Sequence, residues 1–195
     1  GGAAVLSISL GQRDRPSAQE AMGTGFVLLA LLSVVLTAAL ELAARPLLHV
    51  LGCSETMYPL AAAYFRLYVL GTPAVLLGAG MNQFLLAQGH ARRGMCAVML
   101  GALVNTALDP VFMFALGLGI RGAALATVLS QGLSCAWVLR FLTGEKTLLR
   151  LKRETLRLQP KLILPCVALG LSAFVMQASE SVISVCFNTS LLKYG

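Results

Sequence analysis

Charge is scarce in this chain. Asp, Glu, Lys and Arg make up only 12% of its 195 residues, while 57% are hydrophobic. A soluble domain carries about 25% charged residues, so an ordinary water-soluble domain is excluded. Histidine is nearly absent: His49 and His90 stand alone, with no partner at metal-ligand spacing. The five cysteines, Cys53, Cys96, Cys135, Cys166 and Cys186, are scattered and odd in number. No pair has metal or redox spacing, which argues against a disulfide framework. All but Cys53 lie in apolar stretches and read as small membrane-core residues. Alternation with period two is missing, which excludes a membrane β-barrel. No Met opens the chain, and Gly1–Gly11 has neither a basic leader nor a cleavage site. It is too short to span and is expected to be the tail of a helix that starts earlier. The chain likewise stops at Gly195, just past another apolar run.

What the chain has in abundance is long apolar runs, with a mean hydropathy of +0.81. A bilayer-spanning helix needs about 20 such residues. After the connector Gln12–Ala18, where Pro16 suits the first turn of a helix, spans are predicted over Glu20–Ala44, Met57–Ala87, Met95–Leu116, Ala123–Leu142 and Lys161–Thr189. The second contains Pro73 and the set Gly71, Gly78 and Gly80. Lipid offers no backbone partner, so each span must pair its own donors as a helix. The expected fold is therefore an all-α polytopic membrane protein.

The formal charge of +7 could suggest nucleic acid. Its distribution argues otherwise, because the cations sit between spans. Alternate connectors hold Arg13 and Arg15, then Arg92 and Arg93, then Lys146, Arg150, Lys152, Arg153, Arg157 and Lys161. The opposite side holds Arg45, Arg121 and Lys193. This asymmetry places the basic connectors in the cytoplasm. The linker Thr143–Pro160 carries leucines among its cations. It reads either as an interfacial helix on anionic lipid or as a joint between two bundles.

Polar residues inside the spans are few, and each is expensive. A carboxylate at a helix centre costs about 3 kcal/mol on insertion scales, and Asp109 lies deep in one span. Asn105 is one turn earlier on the same face. Pro110 follows, and its missing N–H leaves the Thr106 carbonyl without its usual helical partner. One turn thus offers hard oxygen ligands suited to a cation or a proton. The turn Gly117–Gly122 permits only an antiparallel return. Asp109 lies roughly 12 Å before it and Thr127 roughly 8 Å after it, at comparable depth. Ala123, Ala124 and Ala126 let the helices approach closely. Asn105, Asp109 and Thr127 are therefore expected to form one cluster, either an ion site or a structural Asp satisfied by its neighbours. Among the other polar residues, Tyr64, Arg66 and Tyr68 lie near the outer end of their span, where Arg66 can snorkel. Asn82 and Gln83 suit a helix–helix hydrogen bond, Glu41 suits exposure at the outer interface, and Gln177 and Glu180 fall in the last span.

The stretch Asn105–Thr127, NTALDPVFMFALGLGIRGAALAT, resembles the multidrug and toxic compound extrusion (MATE) family. It carries an N-x-x-x-D-P helix, a G-x-G-x-x-G turn and an A-A-x-A-T helix start. LGQRDRPSAQEA, AYFRLYVLGTP and LLAQGHARRG are similar to family connectors and spans. No strand precedes the glycine turn, so it is not a dinucleotide fingerprint. The resemblance implies two six-helix lobes around a central cavity. Residues 1–143 would be a partial N-terminal lobe, from the end of its second helix to its sixth. Residues 144–160 would be a cytoplasmic basic linker, and 161–195 the first helix of the C-terminal lobe. The family's first helix, with its cation-binding Asp, would precede this chain. The resemblance also implies that Asn105, Asp109 and Thr127 are the first-lobe cation site, with Tyr64 near it. It implies a plasma (inner) membrane antiporter, monomeric at full length. Such a protein exports drugs or organic cations in exchange for Na⁺ or H⁺ and needs no cofactor or metal beyond that ion. The fragment alone would be inactive.

Three other classes compete. A lipid-linked precursor flippase of a related superfamily would share the helical lobes. A channel needs pore-lining rings or a re-entrant filter, which the sequence does not show. A membrane enzyme needs a metal motif or a nucleophile–base pair, and the spans carry neither.

Overall fold

The computed structural model describes residues 1–50, 56–144, 147–151, 156 and 158–194. Cys53, most of the turn 52–56, and Lys146, Lys152, Arg153 and Arg157 of the linker lie outside the described residues, as do the side chains of His49 and Lys193.

The described residues form eight helices: α1 (Gly2–Gly11), α2 (Arg15–Leu42), α3 (Ala44–Val50), α4 (Tyr58–Leu70), α5 (Thr72–Ala87), α6 (Ala91–Pro110), α7 (Ile120–Thr143) and α8 (Pro160–Tyr194). A π-helical segment, Val111–Ala115, extends α6. Among the described residues four helical stretches are each long and apolar enough to cross a membrane: Arg15–Leu42, Ala91–Ala115, Ile120–Thr143 and Pro160–Ser184. The region expected as one span, Met57–Ala87, is divided into α4 and α5, which together are apolar enough to cross and meet at a bend of 41°. Gly71 closes α4, and Pro73 sits in the first turn of α5. A proline there removes a helical hydrogen bond and crowds the preceding turn, so the break falls where the sequence demands it.

The helices also start earlier than the apolar runs suggest. Asp14 caps α2 by accepting from the Ser17 N–H at 3.2 Å, and Pro16 occupies the first turn. The Ser17 side chain and then its backbone N–H hold the Asp14 carboxyl below the usual carboxylate range. Between α1 and α2, Arg13 takes a positive φ of 59°.

Helix α7 lies at the centre, packed against α4, α5 and α6, while α5 also packs on α1 and α2. Small residues make these approaches possible. Gly101 of α6 lies under Ser134 of α7, whose hydroxyl donates to the Ala97 carbonyl at 2.8 Å. At Gly122 the backbone of Phe112 comes so close that any Cβ would collide with it. In lipid, such van der Waals contact and interhelical hydrogen bonding, rather than water exclusion, hold helices together.

The buried core gathers at one end. Leu6, Met22, Met81, Leu85, Val138 and Leu142 are fully or almost fully buried in one cluster, beside the connectors that carry Arg13, Arg15, Arg92 and Arg93. Leu149 of the linker joins this cluster at 3% exposure. Its backbone N–H donates to Oε1 of the buried Gln88 at 3.1 Å. Gln19 Nε2 donates to the Arg150 carbonyl, and the Leu151 N–H to the Leu142 carbonyl. Residues 147–149 are bends and 150–151 have no regular structure, so this described part of the linker is strapped onto the bundle without forming a helix.

Helix α8 leans on α1, with Cys166 buried and much of its length exposed. Of the described cysteines, Cys135 and Cys166 are buried between helices, whereas Cys96 and Cys186 are on exposed faces of α6 and α8.

Candidate cation site

Helical spacing sets Asn105 and Asp109 one turn apart on α6, and the tight return through Gly117 and Gly119, both at positive φ, brings Thr127 of α7 alongside. Asn105 Nδ2 lies 3.5 Å from Asp109 Oδ1 and 3.4 Å from Thr127 Oγ1. The amide thus bridges both oxygens across two helices. These are long contacts for N–H···O hydrogen bonds, so neither oxygen is tightly committed. The Thr127 hydroxyl donates to the Ala123 carbonyl at 3.0 Å, which turns its lone pairs toward Asn105. All three side chains are half-buried. Just beyond them α6 passes into the π segment after Pro110. Such breaks free backbone carbonyls and recur at functional sites.

Asn105 and Thr127 line a cavity of about 320 Å³ between α5, α6 and α7. Asn82, Ser130, Gln131 and Ser134 line it as well. Asp109 sits one turn further along α6, outside this lining. Asn82 does not make the helix–helix hydrogen bond expected of it, since its Oδ1 is buried without a hydrogen-bond partner. Ser130, Gln131 and Ser134 escaped the sequence reading. Their signal was available: Thr127, Gln131 and Ser134 recur at helical spacing on one face.

Tyr64 does not join the bridge. It stacks on Tyr68 with ring centroids 5.9 Å apart and borders an apolar hollow with Leu48, Met57 and Ile120. Arg66 does not merely snorkel; it faces Glu41 of α2 at 3.9 Å. Gln177 Nε2 donates to Glu180 Oε2 at 3.0 Å on an exposed face of α8. Among the described residues no group of His, Cys, Asp and Glu has a metal-binding arrangement.

A bundle of membrane spans with a polar cavity between α5, α6 and α7, and an acid one turn beyond it on α6, is the architecture of a membrane transporter. The comparisons then give the family. The family model described as MatE matches residues 1–111, and the chain belongs to this family of transporters, which are not enzymes. It is 34% identical over 149 residues to Protein DETOXIFICATION 42 of Arabidopsis thaliana, covering 75% of this chain and 28% of that protein. It is 22% identical over 195 residues to the multidrug export protein MepA of Staphylococcus saprophyticus, covering all of this chain and 43% of that one. A crystal structure of MATE in the bent conformation superposes with a TM-score of 0.88 at 26% identity, covering 93% of this chain and 41% of the other. The chain therefore spans less than half the length of these relatives. It is a multi-pass membrane protein with the all-α MATE fold in part.

Proposed function

We propose that the complete transporter exports drug-like organic molecules, chiefly organic cations, in exchange for Na⁺ or H⁺, and that Asn105, Asp109 and Thr127 bind the coupling ion. One observation carries this reading: the Asn105 amide bridges a carboxylate and a hydroxyl from two helices. The Asn105 NH₂ group supplies the positive end between the two oxygens. Flipping the amide would present its carbonyl oxygen in place of NH₂, giving three oxygens of the hard type that suits a cation. A proton on Asp109 would instead donate to that carbonyl. Either event rewrites the bond between α6 and α7. Ion binding can drive transport only if the two access states differ in ion affinity, and a bridge between two helices is suited to sense such a difference. The staphylococcal relative's name, a multidrug export protein, supports the substrate class.

In this reading residues 1–143 form most of a first lobe, 144–160 a cytoplasmic linker and 161–195 the first helix of a second lobe. The protein works as a monomer in the plasma (inner) membrane with its basic connectors inside. Tyr64 lies one helix away and would act on the site through α7.

The test is Asp109→Asn in the full-length protein. Drug efflux is expected to stop while the protein still reaches the membrane; efflux at the wild-type rate would refute the role. Radioactive Na⁺ binding to the wild type, lost in the variant, would identify Na⁺. Proton release on drug binding, with no Na⁺ bound, would identify H⁺.

A further inference from the structure

A second feature lies on the opposite face of the α6–α7 pair, at its basic end. His90, Arg92, Arg93 and Phe141 line an open hollow of about 550 Å³. Phe141 orders it: the Arg93 guanidinium lies over its ring at 5.6 Å from the centroid, and His90 meets the ring edge-on at 5.4 Å. Among the described residues no acid lines the hollow, and neither Arg92 nor Arg93 has a carboxylate partner. Two guanidiniums side by side, one braced on an aromatic ring, match a phosphate in charge and in hydrogen-bonding geometry.

An apolar track continues from the hollow along the bundle. On α6, Cys96, Leu100 and Leu103 follow Arg93 at helical spacing, with Leu103 66% exposed. On α7, Trp137 and Leu133 follow Phe141 at successive turns and are also exposed. The Ser134–Ala97 hydrogen bond fixes the two helices side by side. A cationic head site opening onto a two-helix apolar furrow has the shape of an anionic amphiphile.

We propose that this hollow binds the phosphate headgroup of an anionic phospholipid, with its acyl chains along the α6–α7 furrow. The proposal rests on the membrane setting and not on ion coupling, so it stands or falls separately from the transport reading. The lipid would brace the basic ends of α6 and α7, whose other ends carry the candidate ion site.

The experiment is native mass spectrometry of the full-length protein with phosphatidylglycerol or phosphatidylcholine of identical acyl chains. Phosphatidylglycerol is expected to bind more tightly. Arg92→Gln with Arg93→Gln should weaken it by roughly thirtyfold, from the usual worth of two basic residues at an anionic membrane surface. Arg121→Gln, at the other end of α7, should leave it unchanged. Arg92→Lys with Arg93→Lys should keep most of the preference. If the glutamine pair does not fold, Phe141→Leu, which unseats Arg93, should still lower phosphatidylglycerol binding relative to phosphatidylcholine. Equal binding of both lipids by the wild type, or the same preference in the glutamine or Phe141 variants, would overturn the proposal. So would displacement of the lipid by inorganic phosphate, which would assign the hollow to the free anion.

Discussion

Single side chains at the two ends of this bundle do different work. At the basic end, Gln88 is 7% exposed; its amide donates to the Met22 sulfur at 3.6 Å and accepts from the Leu149 backbone. Gln88→Ala would strand a buried N–H, at a cost of about 1–3 kcal/mol. The full-length protein in detergent should melt lower, while Gln88→Glu, which keeps an acceptor for Leu149, should recover part of the loss. Asp14 tests the same end by pH. Its folded carboxyl titrates below the ordinary value of 3.8, so its capping contribution is complete above that value and fades as pH falls through the lower folded one. The difference in melting temperature between wild type and Asp14→Ala should therefore be largest near neutrality and shrink under acid. Deep in the bundle, Thr127→Val keeps the shape but removes the oxygen facing Asn105, and should impair efflux more than Thr127→Ser. The cluster itself was legible because Asn105, Asp109 and Thr127 are costly residues in apolar surroundings. The helical spacing of Thr127, Gln131 and Ser134 marks a polar face on α7, but the cavity it lines and the unpartnered Oδ1 of Asn82 were not legible. Serine and asparagine can satisfy themselves within a membrane helix, and only the packing shows that Asn82 does not.

At the level of helices, the breaks are the informative places. Gly71 and Pro73 announce the bend between α4 and α5, yet an apolar run of that length also reads as a single tilted span, so composition alone could not choose. Pro110 announces a disturbance in α6, but not that it resolves as a π segment over Val111–Ala115. The π segment lies tight against Gly122, where the Phe112 carbonyl occupies the space of a side chain. Gly122→Ala should therefore force α7 away from the π segment and separate Thr127 from Asn105. The expected readout is a loss of ion binding larger than the loss of thermal stability. Gly132→Ala, where a Cβ meets nothing, should change neither.

Across the whole chain, packing and polarity are segregated. The buried apolar cluster, with the Leu149 strap, closes the end that carries the basic connectors, whereas the candidate ion site and the π segment occupy the other half, where the described side chains are more open. Sequence could assign the ends through Arg and Lys but not this asymmetry, because Leu85 and Leu103 look alike in a hydropathy profile. Their surroundings separate them: Leu85 is fully buried, and Leu103 is 66% exposed. A lipid-facing leucine loses little on truncation, since lipid replaces what is removed, whereas a buried one leaves a cavity costing about 2–5 kcal/mol. Leu85→Ala and Leu142→Ala should each lower the melting temperature of the full-length protein, and Leu103→Ala should not. Because Leu85, Leu142 and Leu149 share one cluster, their effects should also fail to add when combined. Additive losses would mean that the strap and the helix ends are separate units, and the closed end could not then serve as one rigid base beneath the helices that hold Asp109.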